Sequence, residues 1–284
     1  MALVGDLHSI VQLQECGLKA TYRALDYSGS LDVTRHLHLD PDQECTERAM
    51  DTAAMFGRLD IVQFLHVHRK EGCTVQAMNT ASYNGHLDVI KFLHHNRTEG
   101  CTTNAMIFAA QSGHVNVVDF LHHNRTEGCL ERAMDLAAKY GHLNTLEYLH
   151  INRTEGCTTN AMDEAAFLGH LDIVQWLHHN RTEGCTTAAM DRAASIPIIE
   201  FLHNNRTEGC TSAAMASAAL TSNLPKLKFL HLNRSEGDIH ETWHIAIRDS
   251  TKEIIDYLLE FYDPVSDDQV EYEIHEEVYE DYLE

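Results

Sequence analysis

Residues 158–185 read TTNAMDEAAFLGHLDIVQWLHHNRTEGC, and most of this pattern recurs along the chain. Thr158 or Thr159 suits a helix N-cap, because a short hydroxyl side chain can accept from backbone N–H groups that lack an intrahelical partner. The run Ala161 to Leu168 favours a helix, and Gly169 ends it, since glycine tolerates the left-handed conformation common just past a helix. Leu171, Val174 and Leu177 recur at helical spacing, which predicts a second helix over 171–178. Asn180-Arg181-Thr182-Glu183-Gly184 then reads as a polar return loop. One unit is therefore helix, turn, helix, loop.

The unit repeats with a period of 28 residues: Glu-Gly-Cys stands at 71–73, 99–101, 127–129, 155–157 and 183–185. It arrives three residues early at 208–210, and Glu236-Gly237-Asp238 resumes the period. Ala-Met pairs begin at positions 49, 77, 105, 133, 161, 189 and 214, and Leu-His pairs at 37, 65, 93, 121, 149, 177, 202 and 230. A fixed period of this size marks stacked units that bury their apolar faces against one another. The fold class expected is an all-α helical-repeat solenoid of helix-turn-helix units, about eight to nine repeats counting imperfect caps. Only 4 prolines interrupt 284 residues, which suits that reading.

The stretches DEAAFLGHLDIVQWL (163–177), NTASYNGHLDVIKFL (79–93) and DLAAKYGHLNTLEYL (135–149) resemble the helix pair of the ankyrin repeat. The resemblance covers about residues 1–262. It departs from the family where Thr-Pro-Leu-His becomes x-Ala-Met-Asp, and the period is shorter than the family's usual ~33. The shortening falls in the loop between units, so the resemblance implies a clipped form of the family's β-hairpin finger.

Domain organisation follows from where the pattern frays. Residues 1–16 read as an N-terminal half-repeat, 239–262 as a C-terminal capping repeat, and 1–262 as one repeat array. Repeat seven has lost Gly-His: Asp191-Arg192-Ala193-Ala194-Ser195-Ile196-Pro197 runs straight on, and Pro197 is acceptable in a first helical turn. Residues 263–284 hold ten acidic residues and no Lys or Arg, which predicts a separate acidic tail, solvated or used as a contact.

Composition bounds the partners. A formal net charge of −22 disfavours duplex DNA and anionic membrane, both of which need a basic face, and favours a protein partner with a basic surface. No apolar run is long enough to span a bilayer, and the first residues lack a basic start, so no secretory leader is expected. The Asn-x-Ser/Thr sequons at 96, 124, 152, 180, 205 and 233 are one loop copied six times and are read as unmodified. Seven of the 8 cysteines fill one column, spaced by whole repeats, too far apart for disulfides or a shared zinc ion. A reducing, cytoplasmic setting follows, with the nucleus or delivery into a host cell left open. The histidine rows, one closing each second helix and one in each Gly-His turn, read as structural positions, the first bonding helix-end backbone carbonyls. A metal- or proton-responsive ladder is the competing reading.

No catalytic constellation is visible, because the acids, histidines and cysteines stand in copied columns and catalysis needs a unique site. No enzyme activity, metal or cofactor is expected, and a monomer is. Function should sit where repeats differ. The variable positions chosen are Met55, Phe56, Tyr83, Asn84, Gln111, Lys139, Tyr140, Phe167 and Leu168 before the turns, with Phe108, Glu164 and Arg192 one helical turn earlier. The resemblance to ankyrins implies that these line the concave face, the usual partner surface. Aromatic residues and Met are the types enriched in binding hot spots. The expected function is a non-enzymatic scaffold holding a protein partner, with an enzyme inhibitor or a ubiquitin-ligase adaptor, using groove plus tail, as alternatives.

Overall fold

The computed structural model describes residues 7–16, 24–40, 43–249 and 251–262. Among them are eighteen α-helices, one 3-10 turn and no strand. None of the described helices is long and apolar enough to cross a membrane. The chain divides into two compact units, one of residues 1–164 with 180–184 and one of 165–179 with 185–284. The acidic segment 263–284 and the first six residues of the expected half-repeat lie outside the described residues; what is described of that half-repeat includes the helix Leu7–Glu15.

In the first unit the helices Glu47–Met55, Val75–Tyr83, Thr103–Gln111 and Glu131–Lys139 pack in succession, each beside its own second helix. Their contact faces are built from alanine: Ala54, Ala81, Ala109, Ala110, Ala137 and Ala138 are all fully buried. Having no side chain beyond Cβ, alanine lets neighbouring helices approach closely, and its helix propensity is the highest of any residue. Met78, Met106 and Met134 fill the gaps left over, and Val89, Ile90, Leu93, Val117, Val118 and Leu121 bury the inner faces of two second helices.

A threonine starts most of these first helices, as expected. The hydroxyls of Thr46, Thr74 and Thr102 accept from the N–H two residues on, at 3.1–3.2 Å. Each threonine is in turn fixed by the preceding repeat. Asp51 accepts from the Thr74 N–H at 2.8 Å and hydroxyl at 2.7 Å, Asp26 does the same for Thr46, and Asp135 for Thr158. Asn79 serves Thr102 through Oδ1 and Nδ2. The aspartate that departs from the family motif thus holds the N-cap of the next repeat.

The helix pair turns on glycine at positive φ, +77° at Gly85 and +74° at Gly113. Absence of a side chain matters as much as φ: a Cβ on Gly85 would lie 2.7 Å from the His114 ring, which covers it and engages the Tyr83 carbonyl through Nε2 at 3.1 Å. The second helices run two residues beyond the expected 178-type boundary, to Asn96, Asn124, Asn152 and Asn180. The Nδ2 groups of Asn96, Asn124 and Asn152 donate to the carbonyl four residues back at 2.8–2.9 Å, so the sequon asparagines belong to the last helical turn and not to the loop.

The loop itself is an interlocking clamp. Arg97, Arg125, Arg153 and Arg181 each pair with the glutamate two residues on through both Nε and Nη2, the fork geometry that makes such pairs strong. The pair reaches back one repeat: Glu99 accepts from the Cys73 N–H at 3.3 Å and Glu183 from the Cys157 N–H at 3.4 Å. Arg97 pulls the Glu99 carboxyl down to about 2 against the cost of its burial. At Glu127 burial opposes ionisation, yet the bonds from Arg125 and the backbone still bring it to about 2. The cysteines between the layers are free thiols, and burial, with the neighbouring glutamate, pushes Cys73 and Cys157 up to about 12. Cys45 is only half-buried and Cys16 is exposed.

In the second unit the pattern adjusts to its deletions. The first helix of repeat seven shrinks to the single turn Ala188–Asp191, and Ile196–Asn205 follows with Pro197 in its opening turn, as expected. Lys226 is buried and donates from Nζ to the Asp191 carbonyl at 2.9 Å and the Ala193 carbonyl at 3.2 Å. It therefore satisfies carbonyls that the shortened helix leaves open. The last pair, Ile239–Asp249 and Lys252–Leu259, closes on Trp243, Ala246, Ile254, Ile255, Tyr257 and Leu258, all buried.

Candidate functional site

The variable residues fall at the ends of the first helices because those ends are the least constrained by stacking. Phe56, Asn84 and Tyr140 are the C-cap residues that precede the turn glycine, so their side chains point away from the alanine-lined contact. In the first unit Met55, Phe56, Thr80, Tyr83, Asn84, His86 and Phe108 line an open recess of about 450 Å³. Phe56 is 54% and Tyr83 45% exposed, a large apolar outlay for a surface. The Tyr83 and Phe108 rings meet edge-on at 6.0 Å, and Asn84 fixes the rim by donating to the Met55 and Thr80 carbonyls at 3.0 and 3.1 Å. Five of the chosen residues are thus brought together. Gln111 is half-buried and does not line this recess.

A second open recess of about 890 Å³ lies in the same unit, lined by Cys129, Leu130, Glu131, Arg132, Asp135, Leu136, Lys139, Glu155, Thr158, Asn160 and Glu164. Lys139 bonds Glu164 at 2.8 Å, and its ammonium also stands 5.9 Å from the Tyr140 ring centroid. Burial raises the Asp135 carboxyl despite its bonds to Thr158, whereas the Arg153 fork and backbone bonds lower Glu155 against burial. The remaining chosen residues belong to the second unit. Phe167 and Leu168 are about two-fifths exposed, and the Arg192 guanidinium lies 4.0 Å from the Phe167 ring centroid.

Leu130, Glu131 and Arg132 were not among the residues singled out, yet a legible signal existed. Leu130 stands where repeats around it have Thr74, Thr102 and Thr158, and Ile107 stands where they have Asp51, Asn79 and Asp135. The two positions are one capping pair. Ile107 is buried, and Leu130 makes no side-chain cap and is 51% exposed. At this one joint in the first unit the polar pair is replaced by an apolar one, and the recess opens beside it.

The histidine rows divide. Arg125 donates to His94 Nδ1, Arg153 to His122 and Arg181 to His150 at 3.3–3.4 Å, so these ring nitrogens act as acceptors. Burial, then His95 and Arg125, lowers His94. The carbonyl bonding expected of this row falls instead to its neighbours: His95, His123 and His179 donate to carbonyls four residues back.

Paired helices stacked through glycine-turned units define a helical repeat protein. Its family is the ankyrin repeat: the family model described as ankyrin repeats in three copies matches residues 50–130, 78–163 and 106–191, together half of the chain, and the chain belongs to that family. Among solved structures it is similar to the human ASB11 ankyrin repeat domain, with a TM-score of 0.41 and 18% identity over 76% of this chain and 98% of that one. A comparison with curated proteins finds no match. Ankyrin repeats generally mediate protein–protein interaction and are typically non-enzymatic.

Proposed function

We propose that the chain is a protein-binding scaffold whose partner docks on the first-helix ends of the first unit. The observation that carries this reading is the aromatic cluster of exposed Phe56 and Tyr83 with half-buried Phe108 around an open recess, next to a second recess lined by Leu130 and Leu136. Aromatic anchors in concave sites supply most of the energy in protein interfaces. The second recess carries Glu131, Asp135, Glu155 and Glu164 against Arg132 and Lys139, which suits a partner segment with an apolar anchor flanked by basic residues. In this reading residues 1–262 are the binding array, the chain acts as a monomer without a cofactor, and 263–284 is an accessory acidic contact. Phe167, Leu168 and Arg192 offer a further contact within the second unit.

The test is capture of partners by the full chain and by the triple variant Phe56→Ala, Tyr83→Ala, Tyr140→Ala, with helical content and melting temperature as controls. Loss of a partner from a variant that melts within a few degrees of the parent supports the reading. Undiminished capture, or collapse of the fold, overturns it.

A further inference from the structure

Exposed aromatic rings at the first-helix ends differ in what faces them. The Lys139 ammonium stands 5.9 Å from the Tyr140 ring centroid, and the Arg192 guanidinium 4.0 Å from that of Phe167. Phe56 and Tyr83 are more exposed than either ring, yet among the described residues no lysine or arginine stands over them or over Phe108. No Asp, Glu, Lys or Arg lines the recess they surround. The Tyr83 and Phe108 planes lie 87° apart, an edge contact that covers one face of one ring only.

We propose that the recess of Phe56, Tyr83 and Phe108 is a cage for a quaternary ammonium group, the trimethylated side chain of a lysine on the protein partner. The inference rests on the reading of this recess as a docking site and names what enters it. The face of an aromatic ring carries the negative part of its quadrupole, so rings gathered around one recess attract a cation. Where the chain fills that role itself it uses Lys139 or Arg192; at this recess the cation is left for the partner to bring. The formal net charge of −22 draws cations towards the chain as a whole.

Methylation follows from the polar groups at the rim, which are already bonded. Asn84 Nδ2 donates to the Met55 and Thr80 carbonyls, the Thr80 hydroxyl donates to the Gln76 carbonyl at 2.7 Å, and the Tyr83 carbonyl is engaged by His114. An unmodified lysine ammonium is strongly hydrated and carries three N–H donors, so it would give up water here for few acceptors. A trimethylated head has no N–H to satisfy. It offers apolar methyls to Met55 and Phe56 while keeping its charge for the ring faces.

The experiment reads the methyl resonance of Met55 in the full chain labelled at methionine. Met55 is the one methionine among the described residues that is not buried, and its signal is assigned by its loss in Met55→Leu. Three probes are titrated: N-acetyl-trimethyllysine amide, the same amide of unmodified lysine, and the uncharged isostere with a tert-butyl head. The expected result is a saturable shift with the trimethylated probe and binding about tenfold weaker for the other two. Phe56→Leu and Tyr83→Leu should each weaken the trimethylated probe roughly threefold or more. No shift, equal binding of the tert-butyl isostere, or affinity unchanged in both variants overturns the proposal. Should a variant lose helical content, the ranking of the three probes on the parent chain decides. A partner still lost from the Phe56, Tyr83 and Tyr140 alanine variant, with no preference for the trimethylated probe, overturns this inference and leaves the docking reading standing.

Discussion

Repeats in the first unit and repeat seven in the second solve the same corner differently. At Gly57, Gly85 and Gly113 the chain turns at positive φ, and the bare glycine is covered by the ring of His86, His114 or His142 from the next repeat. Repeat seven has neither glycine nor histidine at its corner, and its first helix is cut to one turn. What replaces them is Lys226, again from the next repeat, driving a charged side chain into the interior to bond two carbonyls. Burial lowers the Lys226 ammonium, yet it remains held by those carbonyls. The comparison teaches that the corner's shape is negotiable, whereas its support by the following repeat is kept.

The sharpest way to break this comparison is a pair of glycine substitutions. Gly85→Ala adds a methyl 2.7 Å from the His114 ring at φ +77°, whereas Gly169→Ala adds one 3.7 Å from the Ala194 methyl at φ +90°. Gly85→Ala is expected to cost roughly 3–4 kcal/mol, strain plus clash, and Gly169→Ala about 1–2 kcal/mol from strain alone. Equal losses in chemical denaturation would show that the histidine cover is incidental. Lys226→Met comes next, with an expected loss of roughly 3 kcal/mol, since two buried carbonyls lose a charged donor. A neutral Lys226→Met would remove the argument for replacement.

The clamp is tested by pH. The folded-state carboxyls of Glu99, Glu127, Glu183 and Glu208 are held at about 2, below the unfolded value of about 4.3. Their contribution is complete above about pH 4.3 and is lost as pH falls towards 2. His38, His94 and His178 are lowered, burial first, so their contribution begins to fall already below about pH 6.5. The acid melting profile should therefore decline in two stages, and Glu99→Gln with Glu127→Gln should flatten the lower one. The smallest effect belongs to the cap: Thr158→Val should cost about 1 kcal/mol. Leu130→Val, at a joint with no hydroxyl to lose, should change melting by less.

The class of fold was open to reading because each of its cues is local. A period, a threonine before an alanine run and a glycine after it lie within one unit, and the helices stand where they imply. What escaped is the chemistry that passes from one repeat to the next. Arg97-Thr98-Glu99 looks like any polar loop until its carboxylate is seen on the Cys73 N–H, 26 residues upstream. Lys226 in the first turn of its helix looks like a surface residue, and it is buried where the helix it meets has been shortened. The candidate binding residues were half legible. Variation located Phe56, Tyr83 and Phe108, and the exposure of the first two follows from their place at a helix end. Leu130 needed the further step of pairing it with Ile107 across a joint whose partnership no single repeat reveals.

The loop clamp has one more consequence, for the chain as it is made. Glu99 closes on an amide that preceded it by 26 residues, and Arg125 on a histidine that preceded it by 31. On a ribosome, each loop must therefore wait for the sequence of its successor before it can set. The growing end is always one unit short of finished, and assembly has a direction: stabilisation is handed backwards, from the newest repeat to the one just made.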